Sequence, residues 1–263
     1  MSLTVTILGC GSSGGVPRVG SGWGACDPTN PRNRRRRCSI LVERGEGDAA
    51  TRVLVDTSPD LRAQLLDADV KRLDAVLLTH DHADHTHGID DLRPLVIHMR
   101  RRMPIYADAA TSKMLSERFG YIFKAPPGSD YPSIADERRI EPGRPVEVDG
   151  PGGIVTATPF SMTHGKGIAL GFRFGDIAYA SDVSGMPPDS VARLRDLDLL
   201  IVDALRYTPH PTHFSVSEAL AFIREVRPQR AVLTNLHTDV DYETLRSELP
   251  PSIVPAYDGM RLG

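Results

Sequence analysis

The sequence predicts one α/β domain in which two β-sheets pack face to face and helices cover the outer faces. Segments typical of strands come in two batches, one in each half of the chain, and each batch is interleaved with helical segments. The 263 residues fit one large domain at roughly 100–200 residues per domain. Because no linker divides the chain, we take residues 1–263 as a single domain.

The first half opens with an alternating strand and a glycine-rich turn. A long loop follows over residues 16–37, which are rich in Gly, Pro, Asn and Arg. A strand pair comes next, because two alternating runs flank a glycine-containing turn. The segments predicted here are strands at 3–8, 39–43, 52–55, 74–79 and 105–106 and helices at 60–68 and 111–119.

The second half predicts an antiparallel set of strands followed by three later strands. Its strands are expected at 154–159, 168–174, 177–180, 199–202, 231–234 and 253–255, and its helices at 190–195 and 217–226. Ser215 or Ser217 caps the last helix. Between the halves, residues 124–145 carry many Pro and Gly with little periodicity, which predicts a surface insertion or a lid.

Composition excludes several classes of protein. Lys plus Arg total 31, Asp plus Glu total 34, and 40% of residues are hydrophobic, which is typical of a globular protein. No apolar run approaches the roughly 18 residues that a membrane span needs, and the first residues lack the basic segment of a signal peptide. We therefore expect a cytoplasmic protein without a membrane segment. The three cysteines are expected to be reduced thiols.

Two arginine clusters interrupt this near-neutral balance. One is Arg34–Arg37, with Arg32 just before it, and the other is Arg100–Arg102. Such clusters are most often solvated basic faces, but they also attract anionic substrates or nucleic acid. The slight overall acidity argues against a dedicated nucleic-acid binder.

The strongest chemical signal follows the buried strand predicted at 74–79. His80, His82, Asp84 and His85 fall within six residues, and imidazole and carboxylate are ligands of Zn²⁺, Mn²⁺ and Fe ions. If the strand geometry continues for one step, His80 and His82 point to the same side. Asp84 and His85 can then face a second ion close by.

Further polar residues stand where other predicted strands end. They are Asp56, His164, Asp182, Asp203 and His237. The carboxyl ends of strands are where α/β proteins build their sites, because the loops there meet in one crevice. Each residue alone could be a cap or an ordinary polar side chain, but together they fit one dinuclear centre.

On these motifs the sequence resembles the metallo-β-lactamase-fold hydrolase superfamily. The resemblance implies a four-layer αββα sandwich with two divalent metal ions, Zn or Mn and alternatively Fe, at one edge. Carried over by position, it implies one ion on His80, His82 and His164, a second on Asp84, His85 and His237, and Asp182 bridging both. Asp56 matches the acid that orients a ligand rather than binding metal.

A closer resemblance is to the branch that contains phosphoribosyl 1,2-cyclic phosphate phosphodiesterase. It rests on residues 8–17, the arginine-rich stretch into 38–39, and residues 257–260. Two features depart from that branch. The loop at Cys26 offers one cysteine, so we expect no structural zinc. Thr234 is followed by Asn235 with the histidine two residues later, so either His237 or, less favoured, Asn235 completes the second metal site.

The resemblance implies hydrolysis of a small phosphodiester, such as a ribosyl cyclic phosphate or a nucleotide, by a metal-bridging hydroxide. Asp84 and Asp182 would be catalytic through the metals, and His213, which matches a further active-site histidine of the branch, would be the general acid. Ser12, Ser13 and Arg206 are the candidate contacts to the phosphate.

Other functions stay open at this point. The same fold supports a thioesterase or lactonase, an RNA-processing endonuclease, or a nucleotide-binding protein without turnover. The arginine clusters weigh modestly against the first, and RNA is less favoured because the segment 124–145 is short and weakly basic for an RNA-binding arm. A homodimer covering the basic loop is expected by analogy.

Overall fold

The strands of the computed structural model, which describes residues 3–263, fall into two batches along the chain. The first batch is β1 (Leu3–Gly9), β2 (Ser39–Arg44), β3 (Thr51–Val55), β4 (Ala75–Leu77), β5 (Met103–Ala107) and β6 (Ala135–Arg139). The second is β7 (Val146–Val148), β8 (Val155–His164), β9 (Gly167–Phe174), β10 (Ile177–Ala180), β11 (Leu199–Asp203), β12 (Arg230–Thr234) and β13 (Ile253–Pro255), and β14 (Arg261–Leu262) ends the chain.

The helices connect and cover these strands. They are α1 (Leu61–Asp67), α2 (Ala83–Thr86), α3 (Arg93–Met99), α4 (Ala109–Phe123), α5 (Pro188–Ala192), α6 (Val216–Val226) and α7 (Tyr242–Glu248). Short 3₁₀ turns lie at Pro31–Asn33, Gly47–Ala49 and Ile89–Leu92. Ser215 starts α6 in a capping box with Glu218, which satisfies two otherwise unpaired N–H groups. Among the residues described, no helix combines the length and apolar character that crossing a membrane requires.

The strands form two seven-stranded sheets. Their orders are β14-β1-β2-β3-β4-β5-β6 and β13-β12-β11-β10-β9-β8-β7. β3 to β6 run parallel in the first sheet, and β10 to β13 run parallel in the second. β8, β9 and β10 are antiparallel neighbours, as the alternating pattern predicted.

Side-chain alternation along the strands builds three apolar layers. In β3, Val53 and Val55 face the second sheet, whereas Leu54 faces the helices on the other side. Phe222 of α6 packs on the outer face of the second sheet. Fully burying one such side chain contributes about 1.5–3 kcal/mol. The order helix, sheet, sheet, helix confirms the αββα sandwich.

The segment 124–145 differs from a plain surface insertion. Its central part forms β6, which pairs in parallel with β5 and completes the first sheet. Its end leads into β7, the first strand of the second sheet. The sequence did not predict this strand for two reasons. Pro and Gly lie on both sides of it, and its own side chains show little apolar alternation because it lies at the edge of the sheet.

The arginine run is mostly part of the scaffold. Arg35 is buried, and its guanidinium donates to the carbonyl oxygens of Val240 (2.8 Å) and His237 (3.3 Å) and to Asn33 Oδ1 (3.2 Å). Other arginines of the two clusters pair with carboxylates: Arg36 with Asp67, Arg37 with Asp60, Arg101 with Asp74 and Arg102 with Asp136. The expected solvated faces are therefore largely ion-paired.

Candidate metal centre

Most of the polar residues predicted at strand ends line one cleft of about 550 Å³, whereas Asp56 and Asp203 are buried beside it. The loops that follow β4, β8, β10, β11 and β12 line it, together with the glycine-rich turn after β1. Parallel neighbours such as β10, β11 and β12 end at the same edge of their sheet, which is where α/β proteins collect ligands. Both sheets thus contribute side chains to the cleft.

Three histidines form the first ligand set. Ring nitrogens of His80, His82 and His164 lie within 4.8 Å of one another. His164 Nδ1 donates to the carbonyl oxygen of Thr212 (2.7 Å), so its Nε2, 3.4 Å from His82 Nδ1, carries the free lone pair. The three rings therefore bring ligand nitrogens close enough together to share one metal ion.

A second set lies beside the first and shares Asp182 with it. His85 Nε2 is 3.2 Å from Asp182 Oδ1 and 3.3 Å from Asp84 Oδ2. The other oxygen, Asp182 Oδ2, is 4.0 Å from His80 Nε2 and 3.9 Å from His164 Nε2. Asp182 thus turns one oxygen toward each set, as a bridging ligand would.

Asp56 supports both sets from behind. Its Oδ2 accepts from His85 Nδ1 (2.7 Å), and its Oδ1 accepts from the backbone N–H of Thr79 (2.8 Å). The Thr79 hydroxyl also donates to Asp56, so it accepts from His80 Nδ1 at 2.9 Å. These contacts fix the tautomers of His80 and His85 and leave each Nε2 facing the cleft, which fits the orienting role expected of Asp56.

The protonation states suit metal binding. Burial, followed by the charge of His85, lowers the pKa of His80 well below its usual value, so the imidazole is neutral. Burial alone would raise the pKa of Asp182, but the charge of His85 outweighs it and holds that pKa well below the usual range. A neutral His80 beside an ionised Asp182 is the state in which a divalent cation binds. Burial would lower the pKa of His85, but the charges of Asp182, Asp56 and Asp84 raise it well above its usual value, so a cation bound there would replace the second proton of that imidazole.

Unpaired buried atoms test whether a cation fits. Within residues 3–263, His80 Nε2, His85 Nε2 and Asp182 Oδ1 are buried without a hydrogen-bond partner, although buried polar atoms are normally paired. His80, His85 and Asp182 form one group whose ligand atoms lie within 4.8 Å of one another. Their nitrogen and carboxylate chemistry accepts Zn²⁺, Mn²⁺ or Fe. The residues present therefore fit divalent metal ions.

His237 lies in the cleft, but its ring contacts residues outside the two ligand sets. Among the described residues it belongs to none of the ligand groups. Its Nε2 lies 2.6 Å from Arg18 Nη1, and its Nδ1 lies 2.9 Å from Asp239 Oδ1. Asn235 is buried, and its amide donates to the carbonyl oxygen of Ser181 (3.2 Å). His237 nevertheless lines the same cleft as Asp84, and its role as a ligand of the second ion, beside Asp84 and His85, stays a prediction.

His213 lies in the cleft with an acidic partner that its sequence surroundings do not show. Its Nδ1 donates to Asp203 Oδ2 (2.8 Å), which also accepts from the backbone N–H of Val183 (3.1 Å). Burial raises the pKa of Asp203 to about 7, although the hydrogen bond and charge of His213 act to lower it. The position of Asp203 at the end of β11 was the available signal, but its pairing appears only in the fold.

The candidate phosphate contacts all line the cleft. The Ser12 hydroxyl is buried and has no partner in the described part of the chain, and Ser13 is exposed. Arg206 donates to the carbonyl oxygen of Pro209 (2.9 Å) in its own loop. Arg18 and Lys166 also line the cleft. Sequence reasoning missed both, because an isolated basic residue in a loop carries no pattern.

Replacing Asp56 with asparagine should weaken metal binding about 10- to 100-fold, because the amide no longer offers two acceptor oxygens behind His85 and Thr79. The backbone at Asp56 has φ 65°, which Asp and Asn both tolerate. Competition with a chromogenic chelator measures the affinity. Asp69→Asn is the matched control, since Asp69 is exposed and also has a positive φ of 48°. Equal affinities in both variants would contradict the orienting role.

Comparisons with known proteins agree with this geometry. A model of the β-lactamase superfamily domain matches residues 51–235, which include every member of the two ligand sets. The chain is 34% identical to the crystal structure of a diphosphatase of the PhnP family, with a TM-score of 0.88 and coverage of 100% of this chain and 98% of that one.

Two curated relatives differ in their names. Over 257 residues the chain is 34% identical to an octanoyltransferase of Porphyromonas gingivalis, covering 97% of this chain and 50% of that protein. The chain thus spans about half the length of this relative. It is 26% identical over 279 residues to a ribonuclease Z of Methanopyrus kandleri, covering 88% of this chain and 92% of that protein.

Proposed function

The chain belongs to the β-lactamase superfamily and, within it, to the PhnP family, and from this membership we propose that it is a divalent-metal-dependent hydrolase of a small phosphodiester. A ribosyl cyclic phosphate or a nucleotide is the proposed substrate class. The observation that carries the proposal is Asp182, whose two oxygens face two adjacent sets of metal-binding side chains.

The roles of the side chains follow from their positions. His80, His82 and His164 would hold one ion, Asp84, His85 and His237 the other, and Asp182 would contact both. Bound divalent ions supply a water of lowered pKa and positive charge beside the phosphate oxygens. We infer that Zn or Mn occupies the site, with Fe as the third choice.

His213 is the proposed general acid. Its Nδ1 is held by Asp203, and no partner among residues 3–263 occupies its Nε2, which is free to protonate the leaving alkoxide oxygen. Burial lowers the pKa of His213, but its hydrogen bond to Asp203 and the charges of Asp203 and Asp182 outweigh this, and the pKa lies above the usual value. The imidazole can therefore carry the proton that the leaving group needs.

The cleft also supplies contacts for an anionic substrate. Ser12 offers an unpartnered hydroxyl, and Lys166 and Arg206 place positive charge on the walls. A cleft of about 550 Å³ falls in the usual range for small-molecule sites. This size favours a nucleotide or a cyclic sugar phosphate over a folded RNA.

Two alternatives each have one observation in their favour. The relative that is an octanoyltransferase favours an acyl thioester substrate, although the match spans half of that protein. The relative that is a ribonuclease Z favours an RNA substrate. The expected homodimer, the single domain and the cytoplasmic location stay predictions.

A substrate panel tests the proposal. Protein loaded with Mn²⁺ or Zn²⁺ is assayed on bis(p-nitrophenyl) phosphate, nucleoside 2′,3′-cyclic phosphates, an octanoyl thioester and a precursor tRNA. We expect metal-dependent turnover of the small phosphodiesters, and none after chelation. Turnover of only the thioester or only the RNA would overturn the proposed substrate class, and so would no turnover in protein shown to hold metal.

A further inference from the structure

Arg35 places a positive charge in the interior among neutral partners. The residue is 2% exposed, and its guanidinium donates to the carbonyl oxygens of Val240 (2.8 Å) and His237 (3.3 Å) and to Asn33 Oδ1 (3.2 Å). Its neighbour Arg36 pairs with a carboxylate instead. Burying a charge costs free energy that an apolar side chain of similar size would not cost. The presence of an arginine here therefore indicates a role other than filling space.

Two of the three acceptors belong to the loop that brings His237 to the cleft. This loop, residues 235–241, connects β12 to α7 and is called the β12–α7 loop below. The N–H of Val240 donates to the His237 carbonyl oxygen (3.1 Å), and the Arg35 guanidinium donates to the carbonyl oxygens of both residues. Arg35 thus fixes both ends of the turn that carries the His237 side chain, which lines the cleft.

Asn33 extends this support to the end of the same loop. Its Oδ1, which accepts from Arg35, also accepts from the backbone N–H of Tyr242 (2.8 Å), and its Nδ2 donates to Asp241 Oδ2 (2.6 Å). Asp241 is the N-cap of α7. The side chains of Arg35 and Asn33 together therefore hold the β12–α7 loop at its middle and at its end.

The backbone of Arg35 is tied to the opposite side of the cleft. Val16 and Arg35 exchange backbone hydrogen bonds of 2.8 and 2.9 Å, just after the glycine-rich turn. That turn also holds the start of the β12–α7 loop, because Leu236 donates to the Cys10 carbonyl oxygen (2.8 Å) and accepts from the Ser12 N–H (3.3 Å). Supports of this kind keep a functional side chain in its working position, and partners behind metal ligands tune metal affinity.

We propose that Arg35 is a positioning residue for the second metal ion. It holds the β12–α7 loop so that His237 can complete the ligand set of Asp84 and His85. The inference rests on the proposed function, in which His237 is a ligand of that ion. Arg35 acts through the backbone that carries His237, and its loss should therefore weaken one ion and spare the ion on the three histidines of the first set.

Metal titration of an Arg35 variant tests this role. Arg35→Met removes the guanidinium and keeps a long side chain, and competition with a chromogenic chelator for Zn²⁺ resolves the two binding steps. One step should weaken about 10- to 100-fold, as for other partners behind metal ligands, while the other stays within about twofold. Equal weakening of both steps, or of neither, would overturn the proposal.

Arg52→Met is the matched control. Arg52 is also a buried arginine, and it donates to Glu43 Oε1 (2.8 Å) and to the Gly47 carbonyl oxygen (2.7 Å). It lies near the start of β3, at the other end of that strand from Asp56. Both variants should lower the melting temperature, but only Arg35→Met should weaken one binding step selectively. The same selective loss in Arg52→Met would mean that lost stability explains the effect, which would refute the positioning role.

A second variant keeps the test decisive if Arg35→Met does not fold. Arg35→Lys keeps the charge but lacks the planar fork that reaches several acceptors. It then replaces Arg35→Met in the titration, with the same expected selective loss. Two binding steps of unchanged affinity in folded Arg35→Lys would count against the proposal.

A double-substitution cycle tests whether Arg35 acts through His237. His237→Asn should weaken the same binding step at least as much as Arg35→Met does. Adding Arg35→Met to His237→Asn should then change that step by less than about twofold, because effects transmitted through one residue do not add. Fully additive losses would contradict the route through His237, and so would an unchanged second step in His237→Asn.

The inference and the proposed function fail in different ways. Metal binding is measured without substrate, so protein that binds two ions but hydrolyses no small phosphodiester would refute the proposed substrate class alone. The titrations of Arg35→Met and Arg52→Met would still decide the role of Arg35. Wild-type protein that binds a single ion would overturn both.

Discussion

Replacing Asp182 with asparagine should lower kcat/KM for a small phosphodiester by at least about 10³-fold and reduce bound metal in the same variant. Asparagine keeps one oxygen, so only one of the two ligand sets retains its contact, and the negative charge between them is lost. Metal ions contribute several kcal/mol to stabilising transition-state charge, and each tenfold in rate corresponds to about 1.4 kcal/mol. Hydrolysis of bis(p-nitrophenyl) phosphate together with elemental analysis measures both effects.

Asp176→Asn is the matched control for this substitution. Asp176 lies in the exposed turn between β9 and β10, on the same hairpin that leads to Asp182. It should keep wild-type activity and metal content. Full activity in Asp182→Asn would mean that the carboxylate does not join the two sets, and the dinuclear centre would then be wrong.

Replacing His213 with glutamine should lower kcat by about 10²- to 10⁴-fold on substrates that release an alkyl alcohol. The effect should be small on bis(p-nitrophenyl) phosphate, because nitrophenolate leaves readily without a proton. The reason is the pair with Asp203, which holds Nδ1 and leaves Nε2 to donate. Steady-state kinetics on a nucleoside cyclic phosphate and on the nitrophenyl ester, compared side by side, measure the difference.

His210→Gln serves as the control, because His210 lines the same cleft with its ring 5.2 Å from that of His213. Its Nδ1 contacts the Thr212 hydroxyl at 3.1 Å rather than a carboxylate, so its loss should affect both substrates little. A loss of the same size on both substrates in His213→Gln would indicate damage to the metal centre. That result would contradict the role as general acid.

The sequence allowed prediction of most of the centre, because its ligands follow strands with clear apolar patterns. His80, His82 and His85 stand in one short motif after β4, and Asp182 follows β10. Strand ends and ligand chemistry are local properties, so they can be inferred without the fold. The expected general acid, His213, also lies in the cleft.

His237 shows a limit of predicting the direction of a side chain from the alternation of a strand. The expectation assumed that strand geometry continues past Thr234, so that residues two apart point the same way. β12 ends at Thr234, and Asn235 has φ 62°, in the left-handed region. One such residue turns the chain, so strand alternation alone does not fix where His237 points, although Asn235 and His237 both line the cleft. The contacts of His213 and Arg18 could not be predicted from the sequence either, because their partners come close only in the folded chain.

The four adjacent arginines also have a consequence for sequence variation. Arg35 is buried, and its planar guanidinium donates hydrogen bonds to three oxygen atoms. Substitution by lysine would therefore leave some of these acceptors unpaired. Arg36 is a partly exposed partner of Asp67, a kind of pair typically worth no more than about 1 kcal/mol. We therefore expect residue 36 to vary among homologous sequences and residue 35 to remain arginine. Arg35 and Arg36, although adjacent and identical in the sequence, would then be substituted at different rates during evolution.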